Sequence, residues 1–275
     1  MKRLLTLLLA AALLCAGCGA EPESQTLATQ GPSLTTLPVT TPAPTIPEPT
    51  TPVPTTPEQP KLLIVIDPGH QAKGNYDREP IGPGAAETKA KVSSGTQGCV
   101  TGLAEYELNL AVSLKLQEEL EQRGYRVILT RESHDVNISN SQRAAVANDA
   151  QADAFIRIHA NGSEDPNANG AMTICQTPHN PYNGHLHSQS YALSECVLDG
   201  MVASSGCRRE RVWETDTMSG INWCAVPATI VEMGYMTNPG EDRLLSQEDY
   251  QWKIAKGIAD GIDRYFFSQA DKTQS

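Results

Sequence analysis

The chain has 275 residues, a formal net charge of −11 at pH 7 and a hydrophobic fraction of 39%. This charge argues against nucleic acid or an anionic membrane surface as a partner, because both require a basic patch that releases counterions. An acidic surface is compatible with a neutral or zwitterionic substrate, and the aliphatic content suffices for one ordinary globular core.

The N-terminal segment, residues 1–18, has the organisation of an export signal. A basic start at residues 1–3 precedes an apolar run over residues 4–14, which is too short for a permanent membrane-spanning helix. The sequence Ala-Gly-Cys at 16–18 resembles the lipobox of bacterial lipoproteins, in which the cysteine is acylated. We therefore expect an exported protein, lipid-anchored through Cys18 on the cell-wall side of the bacterial cytoplasmic membrane. The alternative is ordinary cleavage and secretion.

Residues 19–60 form a second segment, in which proline and threonine dominate. Such a composition cannot bury a core, and it predicts a disordered, polyproline-like tether. At about 3.1 Å per residue, a segment of this length reaches on the order of 100 Å. The rest of the chain is expected to be a single domain over residues 61–268, followed by a C-terminal tail over residues 269–275.

Apolar patterning in the domain alternates between the periods of strands and helices. Short aliphatic runs predict five strands, over residues 61–66, 125–130, 154–159, 171–175 and 229–235. Apolar residues at helical spacing predict four helices, over residues 105–123, 140–149, 190–203 and 248–266. Gly124 stands where the C-cap of the first helix is expected. This order indicates an α/β fold, a single domain with a mostly parallel central β-sheet flanked by helices.

Residues 71–102, between the first predicted strand and the first predicted helix, show no sustained periodicity. Glycine, proline, lysine and serine are frequent there, so the segment is predicted to be a long loop or insertion. A loop of this length beside the first strand favours a functional role. The sequence leaves open whether the segment gates a site.

Five cysteines lie beyond the signal segment, and export would permit disulfides among them. They are Cys99, Cys175, Cys196, Cys207 and Cys224. An odd number leaves at least one thiol free or paired between chains, and the absence of a CxxC pair makes a structural zinc knuckle improbable. Both the pairing and the oligomeric state stay open.

Two histidines stand where predicted strands end, and in a parallel sheet functional residues gather at that edge. His70 follows the first strand, and His159 closes a later one. Glu105 begins the first helix, where a carboxylate is favoured by the unpaired backbone N–H groups. Catalytic zinc takes three protein ligands of these types, and Glu232, near the end of the last strand, could supply the proton-transferring carboxylate.

Each of these four residues also has an ordinary structural interpretation. His70 could be a loop histidine, and His159 could be a hydrogen-bonded residue at a strand end. Glu105 could simply favour the start of its helix, and Glu232 could be the buried partner of an arginine. Spacing alone leaves both interpretations open for each residue.

Four motifs occur in order along the globular part. They are IDPGHQ at residues 66–71, EYELNL at 105–110, IRIHAN at 156–161 and IVEMGYMTN at 230–238. Jointly they resemble the amidase-3 family of zinc-dependent N-acetylmuramoyl-L-alanine amidases, and the resemblance spans residues 62 to about 265. It implies that His70, Glu105 and His159 bind Zn²⁺ and that Glu232 is the catalytic acid/base. The implied substrate is peptidoglycan, cleaved at the amide bond between N-acetylmuramic acid and L-alanine.

Two details depart from the family pattern. The stretch 74–102 is longer than the compact loop of simpler members, which leaves Glu87 and Glu107 as alternatives to Glu105 for the third ligand. Glu105 is favoured because it holds the family's position just before the Asn-Leu pair of the helix. Arg157 stands two residues before the second histidine, and the sequence offers no explanation for it.

Two other functions compete with the amidase interpretation. A zinc carboxypeptidase would use a similar set of ligands, but it needs a cation for the terminal carboxylate, and no motif supplies one. A wall-binding lipoprotein without catalysis could localise another hydrolase, although the complete set of candidate ligands argues against it. Protein regulators cannot be identified from the sequence.

Overall fold

The computed structural model describes residues 61–273 of the chain, with side chains as far as residue 268. The strands within this range are β1 (Leu63–Pro68), β2 (Asn75–Pro80), β3 (Thr88–Val92), β4 (Arg126–Leu129), β5 (Ala154–Asn161), β6 (Ala171–Cys175), β7 (Arg209–Glu214) and β8 (Ala228–Tyr235). The α-helices are α1 (Glu105–Gln122), α2 (Asn140–Asp149), α3 (His187–Ser205), α4 (Ser219–Asn222), α5 (Pro239–Leu245) and α6 (Glu248–Thr273).

The predicted strands and helices are all present. β6 and α2 have the predicted bounds, and α1 begins at Glu105 as expected. Gly124 follows the C-cap of α1 with φ of 91°, the left-handed conformation that favours glycine there. α6 is longer than predicted and continues to Thr273.

Six strands form the central sheet in the order β4-β1-β5-β8-β6-β7. The first four run parallel to one another. β6 is antiparallel to β8 and parallel to β7, so the reversed pair occupies one edge of the sheet. The prediction of a single α/β domain with a mostly parallel sheet is confirmed.

Alternate residues of β1 face opposite layers of helices. Ile64 and Ile66 belong to the larger core cluster, which contains buried residues of α1, α3 and α6. Leu63 and Val65 belong to a second cluster with buried alanines of α2. The sheet is therefore covered on both faces, which accounts for the nearly continuous apolar run in its first strand.

Helices α3 and α6 approach each other closely on the larger core. A Cβ on Gly200 would lie only 2.2 Å from the carbonyl oxygen of Gly257, and a Cβ on Gly261 would lie 2.4 Å from that of Cys196. Only glycine fits at such contacts, so the two helices pack backbone to backbone.

The prediction for residues 71–102 was wrong in one respect, because the segment contains the antiparallel hairpin β2–β3. Only Glu79 and Val92 are buried in the two strands of the hairpin, so the side chains show no apolar alternation that would identify strands. The carboxylate of Glu79 accepts hydrogen bonds from the Ser141 backbone N–H (3.2 Å) and hydroxyl (2.7 Å). These bonds dock the hairpin on the N-terminus of α2.

Three further elements were absent from the sequence prediction. β7 reads RERVWE and is largely exposed, so it lacks the apolar run of the parallel strands. α4 has four residues and α5 has seven, which is too short for helical periodicity to be recognised.

The predicted signal peptide, Cys18 and the tether lie outside the described residues. In the part of the chain that the structure covers, no helix is long and apolar enough to cross a membrane. Cys99, Cys175, Cys207 and Cys224 carry free thiols there.

Candidate metal centre

The structure brings His70, Glu105 and His159 together at the carboxyl edge of the sheet. His70 Nε2 lies 3.0 Å from Glu105 Oε1, and His159 Nδ1 lies 3.2 Å from the same oxygen. The two histidine nitrogens are 3.2 Å apart. Each residue offers one ligand atom, and all three lie within 4.8 Å of one another. Two imidazoles and a carboxylate are a donor set that suits zinc.

His70 follows β1 in a turn whose carbonyl oxygens are held by two buried arginines. Arg143 donates to the carbonyls of Pro68 and His70, each at 2.9 Å. Arg131 donates to the carbonyls of Pro68 and Gly69, at 2.9 and 3.0 Å. His70 itself has φ of 59°, a left-handed conformation that costs a non-glycine residue roughly 1–2 kcal/mol. The arginine bonds fix the turn and offset this cost.

The ring of His159 packs flat against the backbone of the same turn. A Cβ on Gly69 would lie 2.3 Å from His159 Cε1, closer than any real side chain allows. Glycine is therefore required at position 69 for His159 to reach His70 and Glu105.

The hydrogen bonds of His70 select its tautomer. Its Nδ1 lies 2.9 Å from the carbonyl oxygen of Ser93, which can only accept, so Nδ1 carries the proton. Nε2 is then left with a lone pair that points toward Glu105 and His159. A second partner that fixes the ring in this way is typical of metal-ligating histidines.

His159 is also suited to the neutral, ligating form. Burial lowers its pKa to about 4, and this effect outweighs the opposing hydrogen bond that Glu105 accepts from the ring. Its Nε2 is buried and has no hydrogen-bond partner among the described residues. Protonation of this ring at neutral pH would therefore be unfavourable.

Glu105 is held by three further donors. The Thr96 backbone N–H donates to Oε2 at 2.8 Å, and that of Ala160 donates to Oε1 at 3.2 Å. The Asn109 side-chain amide lies 3.3 Å from Oε1. Burial would raise the pKa of Glu105, but its interactions with the rings of His159 and His70 outweigh burial and keep the pKa below its usual range. The carboxylate is therefore ionised and oriented.

The two alternative carboxylates are placed elsewhere. Glu107 caps α1, since its carboxylate accepts from the backbone N–H of Ala104 at 3.2 Å. Glu87 is exposed in the turn of the β2–β3 hairpin. Neither belongs to the cluster of potential ligands around Glu105.

Glu232 lies on β8 directly opposite His159 on β5. Burial raises its pKa well above the usual value, and the neighbouring charge of Glu105 adds to this, while Arg157 opposes it. Its Oε2 is buried without a hydrogen-bond partner among the described residues. A carboxyl group with a raised pKa retains a proton more readily than an ordinary glutamate, which suits a general acid/base.

Arg157, whose role the sequence did not explain, is buried and lines the same cavity as Glu232. Its Nε donates to Asp67 Oδ2 at 2.8 Å, and its Nη2 donates to Asn140 Oδ1 at 2.8 Å. Asp67 also accepts from Arg143 at 2.7 Å. Asp67 belongs to the IDPGHQ motif. Arg143 and Arg157 are distant from it in sequence, and no local pattern predicted that they bind its carboxylate.

Two adjoining cavities meet at the cluster, with volumes of about 420 and 340 Å³. Both are lined by His70, Ser93, His159 and Glu232. A substrate could therefore extend from the candidate metal centre in two directions.

The sequence of the domain is similar to that of known amidases. The family model described as N-acetylmuramoyl-L-alanine amidase, amidase-3, matches residues 64–264. The chain is 30% identical over 203 residues to N-acetylmuramoyl-L-alanine amidase LytC of Bacillus subtilis (strain 168), covering 74% of this chain and 35% of that protein. It thus spans about a third of that relative's length.

Two solved structures are similar in fold. The catalytic domain of the amidase CwlV from Bacillus (Paenibacillus) polymyxa var. colistinus has 30% identity and a TM-score of 0.61, over 74% of this chain and 98% of that one. The amidase Ami1 from Mycobacterium smegmatis has 26% identity and a TM-score of 0.68, over 75% and 97%. The chain belongs to the amidase-3 family of N-acetylmuramoyl-L-alanine amidases.

Proposed function

We propose that the chain hydrolyses the amide bond between N-acetylmuramic acid and L-alanine in peptidoglycan, in a zinc-dependent reaction. His70, Glu105 and His159 would hold the metal, and Glu232 would be the catalytic acid/base. The observation that carries the proposal is the convergence of three oriented donor atoms beside a carboxyl group with a raised pKa.

The residues present fit a zinc ion. The lone pair of His70 Nε2 and the ionised carboxylate of Glu105 face the same point as His159 Nδ1. Zinc, when bound, polarises a carbonyl group and lowers the pKa of water.

The chain's own contribution to the chemistry centres on Glu232. Its carboxylate accepts a proton from the attacking water and then delivers it to the nitrogen of the departing alanine. The raised pKa of Glu232 suits both steps, since a stronger acid would not retain the proton. Arg157, on the cavity floor, moderates this pKa so that the carboxylate form is still accessible.

Removal of a C-terminal amino acid is the second candidate reaction. It requires a cation near the metal centre, and the structure supplies two in the larger cavity, Arg78 and Lys89. Family membership favours the amidase reaction. The two reactions leave different products, since only the amidase frees the amino group of the first alanine.

Digestion of purified peptidoglycan tests the proposal. The chain is incubated with zinc, with a chelator, or as the Glu232→Gln variant, and the soluble products are read by mass. Intact stem peptides with free N-terminal alanine should appear only with zinc and Glu232. Shortened peptides would support the carboxypeptidase, and zinc binding without any release would support the wall-binding protein.

For localisation, we propose that the chain acts outside the cytoplasmic membrane, anchored by a lipid on Cys18. The sequence of residues 1–18 and the Pro/Thr-rich segment that follows support this proposal. Peptidoglycan lies outside that membrane, so a tether of on the order of 100 Å would carry the domain toward its substrate.

A further inference from the structure

The two cavities that meet at the metal centre differ in charge. We define the cationic arm as the larger cavity, lined by Arg78, Lys89, Arg157, Thr217 and Gly220. The neutral arm is the smaller cavity, lined by Tyr76, Ser94, Thr96, Asn161 and Gly162. Apart from the shared Glu232 and the ligand Glu105, the neutral arm has no charged lining residue in the described part of the chain.

Arg78 and Lys89 project from the β2–β3 hairpin, and their contacts do not neutralise them. Arg78 donates to the hydroxyl and the carbonyl of Thr88. Lys89 donates to the carbonyl of Thr217 at 2.8 Å. Glu79 stands opposite Lys89 in the strand register, but its carboxylate is bonded to Ser141. Within residues 61–268, both cations are thus bonded to uncharged oxygens.

Arg157 adds positive charge to the floor of the same arm. It shares the carboxylate of Asp67 with Arg143, so one negative charge faces two guanidinium groups. Its Nη1 lies directly under Gly220, where a Cβ would come within 1.9 Å of it. Glycine at position 220 therefore allows the backbone to pack against the guanidinium, and Arg157 is only 4% exposed.

Arg78 and Lys89 are the cations of this cavity that have no carboxylate partner among the described residues. Cations that lack a carboxylate partner and line a cavity form strong hydrogen bonds with a ligand carboxylate. A stem peptide carries free carboxyl groups, whereas an N-acetylated glycan carries hydroxyl and amide groups. The lactyl carboxyl of muramic acid is consumed in the scissile amide, so it does not contribute a charge.

We propose that the cationic arm binds a carboxylate of the stem peptide, while the neutral arm receives the glycan. This inference rests on the proposed function and adds the direction in which the substrate lies. Arg78 and Lys89 would determine specificity, because they would distinguish peptides with a free carboxyl on the second residue from peptides in which that carboxyl is amidated.

The test compares two N-acetylmuramoyl dipeptides that differ only in whether this carboxyl is free or amidated. Cleavage and binding of both are measured for the zinc-loaded full chain and for the double variant Arg78→Gln, Lys89→Gln. We expect the unmodified chain to prefer the free carboxylate about tenfold in kcat/KM, as loss of a charge-assisted hydrogen bond typically produces. The double variant should lose this preference, because its kcat/KM for the free carboxylate should fall toward its value for the amidated peptide.

Two further variants keep the result interpretable. Lys91→Gln removes a cation of the same hairpin that faces Asp77 at 3.4 Å instead of the cavity, and it should preserve the preference. Arg78→Lys with Lys89→Arg keeps both charges and should preserve it too.

The outcomes separate this inference from the proposed function. Equal cleavage of the two peptides by the unmodified chain, or an unchanged preference in the double variant, would overturn the inference and leave the amidase activity intact. Failure to cleave either peptide, with charge-dependent binding that the double variant abolishes, would overturn the amidase reaction and support the carboxylate subsite.

Discussion

Asp67 is fully buried, and it organises the edge of the sheet on which the candidate metal centre lies. It accepts from Arg143 and Arg157, and Arg143 in turn holds the carbonyls of the turn that carries His70. Burial alone would raise the pKa of Asp67, but the two guanidinium groups lower it below its usual range. A buried charge with good partners is costly to unpair, which makes this residue a sensitive test.

Asp67→Asn should lower the free energy of unfolding by about 3–5 kcal/mol at pH 7, because it leaves two buried guanidinium groups without their carboxylate. Urea unfolding in the presence of a chelator measures this without a contribution from bound metal. Asp77→Asn is the control, because Asp77 is exposed beside Lys91 and its loss should change stability by at most about 0.5 kcal/mol. Equal effects of the two substitutions would contradict the assignment.

The ion pairs of Asp67 with the two arginines also predict that the stability of the domain depends on pH. Since the pKa of Asp67 is lower in the folded than in the unfolded chain, its stabilisation is complete above about pH 4, the unfolded value. It is lost progressively as the pH falls below that value. The difference in unfolding free energy between the unmodified chain and Asp67→Asn should therefore shrink between pH 5 and about pH 2. A difference that stays constant over this range would show that the carboxylate charge is not involved.

Asn109 is a buried residue whose role the sequence did not reveal. Its amide lies between the Gly69 carbonyl (3.2 Å) and Glu105 Oε1 (3.3 Å), so it orients the candidate ligand. Asn109→Ala should weaken zinc binding about 10–100-fold, the usual effect of losing a partner of a metal ligand. Competition with a chromophoric chelator measures the affinity.

Ser113→Ala is the matched control, because Ser113 is buried one turn further along α1 and its hydroxyl has no partner among the described residues. It should leave zinc affinity unchanged. If Asn109→Ala binds zinc as tightly as Ser113→Ala, Asn109 does not position Glu105.

At the scale of elements, the strands and helices with strong apolar periodicity were predictable from the sequence. The positions of the candidate site residues on these elements were predictable too. The four motifs placed His70, Glu105, His159 and Glu232 at strand or helix ends, and the fold brings these ends together. The hairpin in segment 71–102 was not predictable, because its side chains contact the cavity and solvent instead of a core. Its attachment depends on a long-range contact, Glu79 to Ser141, that leaves no periodic signal.

Glu79→Ala should detach the hairpin from α2. Loss of the two hydrogen bonds to Ser141 should destabilise the docked hairpin by about 1–3 kcal/mol, which raises amide exchange in residues 75–92. Activity should fall, since the hairpin forms a wall of the cationic arm. Hydrogen exchange read by mass spectrometry, with a kinetic assay, measures both effects.

Glu87→Ala, in the exposed turn of the same hairpin, provides the comparison and should change neither exchange nor activity. A rise in activity on Glu79→Ala would mean that the hairpin restricts access to the metal centre instead of building the cleft.

At the scale of the whole molecule, the domain is an α/β unit whose acidic surface surrounds a cleft with a local excess of positive charge. Composition predicted the first property, because net charge is a sum over residues. It could not predict the second, because Arg78, Lys89 and Arg157 come from different strands and meet only in the folded chain. Residues 1–60 would carry the domain to the cell wall. Their role is predicted from the amino-acid sequence alone.

Cys18→Ser should release the chain from the membrane fraction of expressing bacteria, because the proposed lipid would have no attachment site. Fractionation followed by immunoblotting measures the distribution. Cys99→Ser changes an exposed thiol of the domain and should leave the distribution unaltered. If Cys18→Ser stays with membranes to the same extent as Cys99→Ser, the anchor lies elsewhere or the apolar run is retained.

The most direct test of the metal-centre account is a zinc titration of the metal-stripped chain, with bound zinc and release of free N-terminal alanine measured in the same samples. Activity should rise in proportion to the amount of bound zinc, up to one zinc ion per chain. His159→Ala should lose both zinc and activity, whereas Glu232→Gln should bind zinc with unchanged affinity and release no product. Full activity without bound zinc, or full activity of zinc-loaded Glu232→Gln, would contradict the metal-centre account.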